Sequence, residues 1–194
     1  MTIMFSCLNS HLYSYSEYIK MAEGYDGREF IPILRKYLAE NATILELGMG
    51  PGKDIDLLNE FFQVTGSDYT NVFLERYQNR HPNADLILLD AVTLETNRKF
   101  DCIYSNKVLY HLSREELEES FRRQANLLTS GGILFHTFWY GDQEENHSGL
   151  RMIYYTQETL LKLIGAEYEE VEYQMYAEIE ENDSFYIVFR KKAK

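Results

Sequence analysis

The sequence predicts an α/β protein: a doubly wound, mostly parallel seven-stranded sheet with helices on both faces, an antiparallel last strand and extra N-terminal helices. Three observations carry that expectation. Apolar runs of strand length alternate with helical patterns over short links from Thr43 onward, the order that builds a parallel sheet. The first strand breaks into Gly48-Met49-Gly50-Pro51-Gly52, a turn that brings bare backbone to a helix start. The chain then ends in helix, strand, acidic turn and strand, which reverses the final strand.

Elements follow in order. Leu12, Tyr15, Ile19 and Ala22, with Tyr18 beside them, mark a helix from about Leu12 to Ala22, ended by Gly24 and the Tyr25-Asp26-Gly27 turn. A second helix is expected over Arg28–Glu40, with Pro32 tolerated in its first turn and Asn41 as its cap. Strands are expected at Thr43–Leu47, Gln63–Ser67, Ala84–Leu89, Phe100–Ser105 and Ile133–Phe138. Between them, Ile55, Leu58, Phe61 and Phe62 stripe one helix, and Thr70 opens another through Arg80. Ser113-Arg114-Glu115-Glu116 is a capping box whose helix should stop at Gly131-Gly132. Tyr140–Gly149 is polar and reads as a loop. Thr156 caps a last helix through Ile164, and strands Glu167–Met175 and Ser184–Arg190 close the chain around Glu178–Asp183. No linker or repeat interrupts the 194 residues, so one domain is expected over 1–194, with residues 1–27 as a helical lid.

Composition narrows the partners. The net charge of −12 disfavours nucleic acid and anionic membranes, which call for a basic face. Cys7 and Cys102 are the only cysteines, and Cys102 falls in a core strand, so neither a disulfide nor a zinc site is expected. No metal is expected. No signal peptide or membrane-length apolar run is present in this sequence, and a cytoplasmic location is the expectation.

In an open α/β sheet, ligands bind beyond the carboxyl ends of the strands, where strand order reverses. Those ends supply Glu46, Gly48, Gly50 and Gly52; Asp68 and Tyr69; Asp90 and Ala91; Ser105, Asn106 and Lys107; and His136, Phe138 and Trp139. Asp68 lies where an acid accepts ribose hydroxyls, or where it starts the next helix. The ring of Tyr69 could lie on an adenine or simply pack. Lys107 could reach into the pocket or project to water.

The spacing Glu46-x-Gly48-x-Gly50-x-Gly52 differs from the G-x-G-x-x-G turn shaped around a pyrophosphate. It resembles the first motif of class I S-adenosylmethionine (SAM) dependent methyltransferases. The run Phe100-Asp101-Cys102-Ile103-Tyr104-Ser105-Asn106-Lys107-Val108-Leu109-Tyr110-His111-Leu112 resembles the fourth motif of the small-molecule enzymes of the type 11 and type 25 groups. The likeness runs from about Arg28 to Arg190. It implies SAM as cofactor, S-adenosylhomocysteine as product and a Rossmann-like sheet. It further implies that Asp90 and the Ala91 N–H meet the adenine, that Ser105 and Asn106 lie near the amino group and sulfonium, and that Asp101 is structural. The chain lacks Asp/Asn-Pro-Pro-Tyr/Phe and Pro-Cys after the fourth strand, which disfavours adenine or glutamine N-methylation and pyrimidine C5 chemistry. The paired acids of metal-dependent catechol-type enzymes are missing there too.

The expected function is methyl transfer to an O, N or S atom of a small molecule by in-line displacement. Should a proton have to leave, His111 is the first candidate base and His136 the second. Tyr15, Tyr18, Tyr110, Trp139 and Tyr140 are candidates for the acceptor side, and the same aromatic residues would equally suit a homodimer surface. The alternative function is a non-catalytic module that holds SAM or S-adenosylhomocysteine and regulates a partner.

Overall fold

A computed structural model describes residues 26–147 and 150–193. The expected N-terminal helix, with Tyr15 and Tyr18, lies outside the described residues. A 3-10 turn at Arg28–Phe30 runs into α1 (Ile31–Tyr37), and α2 (Lys53–Leu58), α3 (Asn71–Arg80), α4 (Arg114–Leu127) and α5 (Gln157–Leu161) follow. The strands are β1 (Thr43–Leu47), β2 (Gln63–Asp68), β3 (Asp85–Leu88), β4 (Phe100–Ser105), β5 (Leu128–Trp139), β6 (Glu144–His147), β7 (Leu150–Ile153), β8 (Tyr168–Tyr176) and β9 (Ser184–Lys191).

Seven strands form one sheet in the order β3-β2-β1-β4-β5-β9-β8. Every pairing from β3 to β5 is parallel, and β9 runs antiparallel to both neighbours. The order reverses between β1 and β4, the point beyond whose carboxyl ends open α/β sheets bind their ligands.

Side-chain alternation sorts the sheet into two cores. Leu45, Leu47, Ile103, Leu134, Ile187 and Phe189 face α4 and α5 through Leu117, Phe121 and Leu160. The intervening Ile44, Cys102, Tyr104, Phe135, Tyr186 and Val188 face the other helices through Phe30, Leu34, Ile55 and Tyr77. The helices therefore cover both faces, as the strand–helix pattern predicts. None of the described helices is long and apolar enough to cross a membrane.

Several boundaries differ from expectation. Helix α1 stops at Tyr37 because Leu38 turns extended (φ −115°, ψ 138°), and Asn41 adopts a left-handed φ of 60° before β1 instead of capping a longer helix. Helix α4 ends before the Gly131-Gly132 pair. The pair instead sits in a bulge inside β5: β4 advances from Phe100 to Cys102 while β5 advances from Leu128 to Ile133. Helix α5 ends at Leu161, short of Ile164, although its Thr156 cap is present. The expected loop Tyr140–Gly149 contains β6, which pairs with β7 as a separate antiparallel ribbon. Residues 144–147 are polar and the ribbon stands apart from the large sheet, so no apolar alternation announces it.

Candidate cofactor and acceptor site

The glycine turn is built from conformations that side chains resist. Gly48, Gly50 and Gly52 have φ of 67°, 50° and 90°. At Gly48 a Cβ would sit 2.6 Å from Cγ1 of Val108, and at Gly52 2.3 Å from the Tyr77 ring. The turn is thus wedged between the loop after β4 and helix α3.

Asp68 fixes the turn to β2. One carboxylate oxygen accepts the Gly50 N–H at 3.0 Å and the other accepts the Thr70 N–H at 2.9 Å. The helix-starting role expected of Asp68 is visible in the Thr70 contact, and the same side chain also holds the glycine turn. A carboxylate keeps further lone pairs for other donors. Burial raises its pKa, and the Thr70 and Gly50 N–H groups oppose that rise.

Glu46, one residue before the end of β1, is 3% exposed, and its Oε2 has no hydrogen-bond partner among the described residues. Burial pushes its carboxyl well above the ordinary range, and the charges of Asp54, Asp68 and Asp56 add to the rise. A buried acid facing three others is costly unless a cation or donor meets it.

Asp54 is the residue that sequence reasoning missed. Acids in a helix's first turn ordinarily face water and complement the helix dipole. This one is buried and accepts from the Gly27 N–H at 2.7 Å, Tyr104 Oη at 2.7 Å and Asn106 Nδ2 at 3.1 Å. These partners lie 27, 50 and 52 positions away, and only the fold unites them. Gly27 is glycine for a reason of space, since a Cβ there would meet the Tyr104 hydroxyl at 2.3 Å. Asn106 also accepts from Thr137 Oγ1 at 2.8 Å, so its amide is fixed at both ends.

The ends of β2 and β3 are joined by the Leu89 N–H donating to the Asp68 carbonyl at 3.0 Å. Asp90 follows, and its carboxylate accepts the Val92 N–H at 2.7 Å, shaping the turn that carries Ala91. Tyr69 is half-buried beside Asp68. Asp101 has the structural part expected of it: one oxygen accepts from Thr43 N and Oγ1, the other from Thr129 Oγ1.

The two candidate bases have different surroundings. His111 is 8% exposed and donates Nδ1–H to the Arg151 carbonyl at 2.8 Å, since a carbonyl can only accept. Its Nε2 therefore carries a lone pair. Burial lowers its pKa to about 4, so the ring is neutral at pH 7. His136 is fully buried. Its Nδ1 lies 2.8 Å from Ser105 Oγ and its Nε2 2.9 Å from Gln124 Oε1. Both ring nitrogens are engaged inside the protein, so His136 has none left to take a proton from an acceptor. The expectation that it acts as a base is corrected on that ground.

The β6–β7 ribbon is tied to the start of α4. Arg151 reaches Glu116 at 3.4 Å and Glu144 at 3.7 Å, and Arg114 reaches Glu144 at 3.3 Å. Tyr110 is packed in the core with its ring 3.9 Å from that of His111. Tyr140 is exposed, and Trp139 keeps a buried Nε1 without a partner among the described residues. Lys107 does not project to water. Its Nζ lies 3.6 Å from the Trp139 ring centre and donates to Ser184 Oγ at 2.6 Å and the Phe138 carbonyl at 3.1 Å. Burial lowers its pKa to about 7, against the pull of Glu178, Asp183 and Glu29. Among the described residues, no group of three or more His, Cys, Asp and Glu side chains could hold a metal ion.

The strand order, the reversed β9 and the glycine turn at the switch point define a class I methyltransferase fold. Residues 44–132 match the family described as "Methyltransferase domain". Trans-aconitate 2-methyltransferase of Variovorax paradoxus is 29% identical over 125 residues, 62% of this chain and 48% of that protein. The chain spans about half the length of this curated relative. Among solved structures, the 1,6-didemethyltoxoflavin-N1-methyltransferase of Burkholderia thailandensis aligns with a TM-score of 0.80 at 19% identity, covering 98% of this chain and 88% of that one. The N-methyltransferase NodS of Bradyrhizobium japonicum aligns with a TM-score of 0.66 at 16% identity, covering 97% and 96%. Both were solved with S-adenosylhomocysteine. The chain thus carries a match to a methyltransferase domain over residues 44–132 and shares the fold of class I SAM-dependent methyltransferases.

Proposed function

We propose that this protein transfers the methyl group of SAM to an O, N or S atom of a small molecule. The observation that carries the reading is Glu46: a buried carboxylate with an open oxygen, beside the glycine turn and facing three further acids. A ligand bearing an ammonium and a sulfonium relieves that repulsion, whereas a pyrophosphate worsens it.

Glu46 and the Gly48–Gly52 turn would hold the methionine end of the cofactor. Asp68 would take the ribose, Tyr69, Asp90 and Ala91 the adenine, and Ser105 and Asn106 the side of the reacting centre. When bound, SAM supplies an electrophilic methyl group on a positively charged sulfur. The remaining work falls to the chain, which must align the acceptor opposite the sulfur and keep water out. Trp139, Tyr140 and Tyr110, with Tyr15 and Tyr18 from the N-terminal segment, would surround the acceptor. His111 would receive its proton at Nε2. A histidine of lowered basicity suits an acceptor whose proton is already acidic, such as a conjugated N–H or an enol, better than an aliphatic ammonium. The curated relative and the Burkholderia enzyme carry small-molecule names, and that likeness supports a small acceptor here.

The test is release of S-adenosylhomocysteine from SAM in the presence of panels of carboxylic acids, heterocycles and amines. Release that depends on one panel supports the reading. Tight SAM binding with no turnover on any panel favours the regulatory module.

A further inference from the structure

A buried chain of hydrogen bonds crosses the α4 face of the sheet. It runs from Ser105 at the end of β4, through His136 of β5 and Gln124 and Ser120 of α4, to the backbone carbonyl of Ala91 after β3. Its links measure 2.8, 2.9, 2.9 and 2.6 Å. All four side chains are 0% exposed.

The direction of every link is fixed by the last one. A carbonyl can only accept, so Ser120 Oγ–H donates to Ala91. Ser120 has then spent its proton, and Gln124 must present Nε2–H to it and Oε1 to His136. The imidazole therefore carries its proton on Nε2, leaving Nδ1 to accept from Ser105 Oγ–H. The reverse assignment would set two proton-free oxygens 2.6 Å apart at Ala91. No member is left unsatisfied, so the chain has one arrangement rather than two.

We infer that Ser120, Gln124 and His136 are positioning residues for the cofactor: they pin the Asp90–Ala91 turn from behind and lock it to the end of β4. Opposite flanks of the proposed site are otherwise carried by separate loops, and this chain holds them at one spacing. Helix α4 supplies two of the three side chains, spaced four residues apart on its inner face. The inference rests on the proposed placing of adenine at Asp90 and Ala91, and it gives His136 a role that its buried nitrogens can fill.

The test is calorimetric titration of the whole chain with S-adenosylhomocysteine and with its N6-deaminated analogue, beside thermal denaturation. Wild type is compared with Ser120→Ala, Gln124→Met and Asp90→Asn. Ser120→Ala should weaken S-adenosylhomocysteine by about fivefold, one lost hydrogen bond's worth. It should also narrow the preference for the adenine ligand over its deaminated analogue. Gln124→Met should do the same, and the double variant should bind no worse than the weaker single one, because Gln124 acts through Ser120. A purely packing role would lower the melting temperature and leave the ligand preference unchanged. Wild-type affinity and preference in Ser120→Ala, alongside weakened binding in Asp90→Asn, would overturn the inference and leave the adenine assignment standing. Undiminished binding in Asp90→Asn would overturn the assignment and the inference with it.

Discussion

The Asp68 carboxylate grips the glycine turn that faces it, its Oδ2 accepting the Gly50 N–H at 3.0 Å. One side chain thus shapes the turn and, in the proposed function, contacts the ligand. Asp68→Ala should lower S-adenosylhomocysteine affinity by more than about tenfold. It should also cost roughly 1–3 kcal/mol of stability, because the Gly50 and Thr70 N–H groups lose their acceptor. Asp68→Asn keeps an acceptor but loses the charge, and should recover more stability than affinity. Calorimetry paired with chemical denaturation separates the two quantities.

Glu46→Gln should move stability and binding in opposite directions. The carboxyl's folded pKa is raised, so its favourable contribution to the ligand-free fold is complete below the ordinary value of 4.5 and disappears as pH rises through the folded value. At neutral pH the amide should raise the ligand-free melting temperature by a few degrees. The same change should weaken S-adenosylhomocysteine about tenfold or more, by removing the charge that faces its ammonium. Thermal denaturation with and without ligand reads both effects.

His111→Asn should lower kcat by about a hundred- to ten-thousand-fold, the usual span for a positioned base, with cofactor affinity little changed. With its pKa pushed down to about 4, wild-type kcat should show no histidine limb near pH 6.5. Stability has its own window. A depressed histidine pKa contributes stability that is present above the ordinary 6.5 and lost as pH falls through about 4, worth up to roughly 3 kcal/mol for His111. His136, lowered to about 3, extends that loss to more acidic solutions. Denaturation midpoints measured from pH 7 to pH 4 should therefore fall steadily in wild type, and less in His111→Asn.

Gly48→Ala should be strongly destabilising, since its Cβ would strike Val108 and its φ of 67° strains any side chain. Adding Val108→Ala should relieve the collision and leave the strain, so the double variant should regain part of the lost stability. Denaturant midpoints of the four proteins give the coupling directly.

The strand order and several element bounds were legible in the sequence. Strands β1 and β4 fall where the apolar runs Thr43–Leu47 and Phe100–Ser105 predict, because glycine or polar residues bound each run. Ser113 and Glu116 announce α4 through a local, reciprocal cap. What stayed hidden depends on distance in sequence. The partners of Asp54 come from two distant stretches, the turn before α1 and the end of β4, and Ser120 reads as a polar residue at a helix position until Ala91 is seen against it. His136 is the instructive case. Its place at the end of β5 suggested chemistry, but the neighbours that occupy its nitrogens come from β4 and α4.

Titration of the wild-type protein with S-adenosylhomocysteine, repeated on Asp68→Ala, bears most directly on the whole account. Saturable one-to-one binding that the substitution abolishes is the predicted result. A folded wild-type protein that takes up no S-adenosylhomocysteine at millimolar concentration, or that binds it equally well without the Asp68 carboxylate, would contradict it.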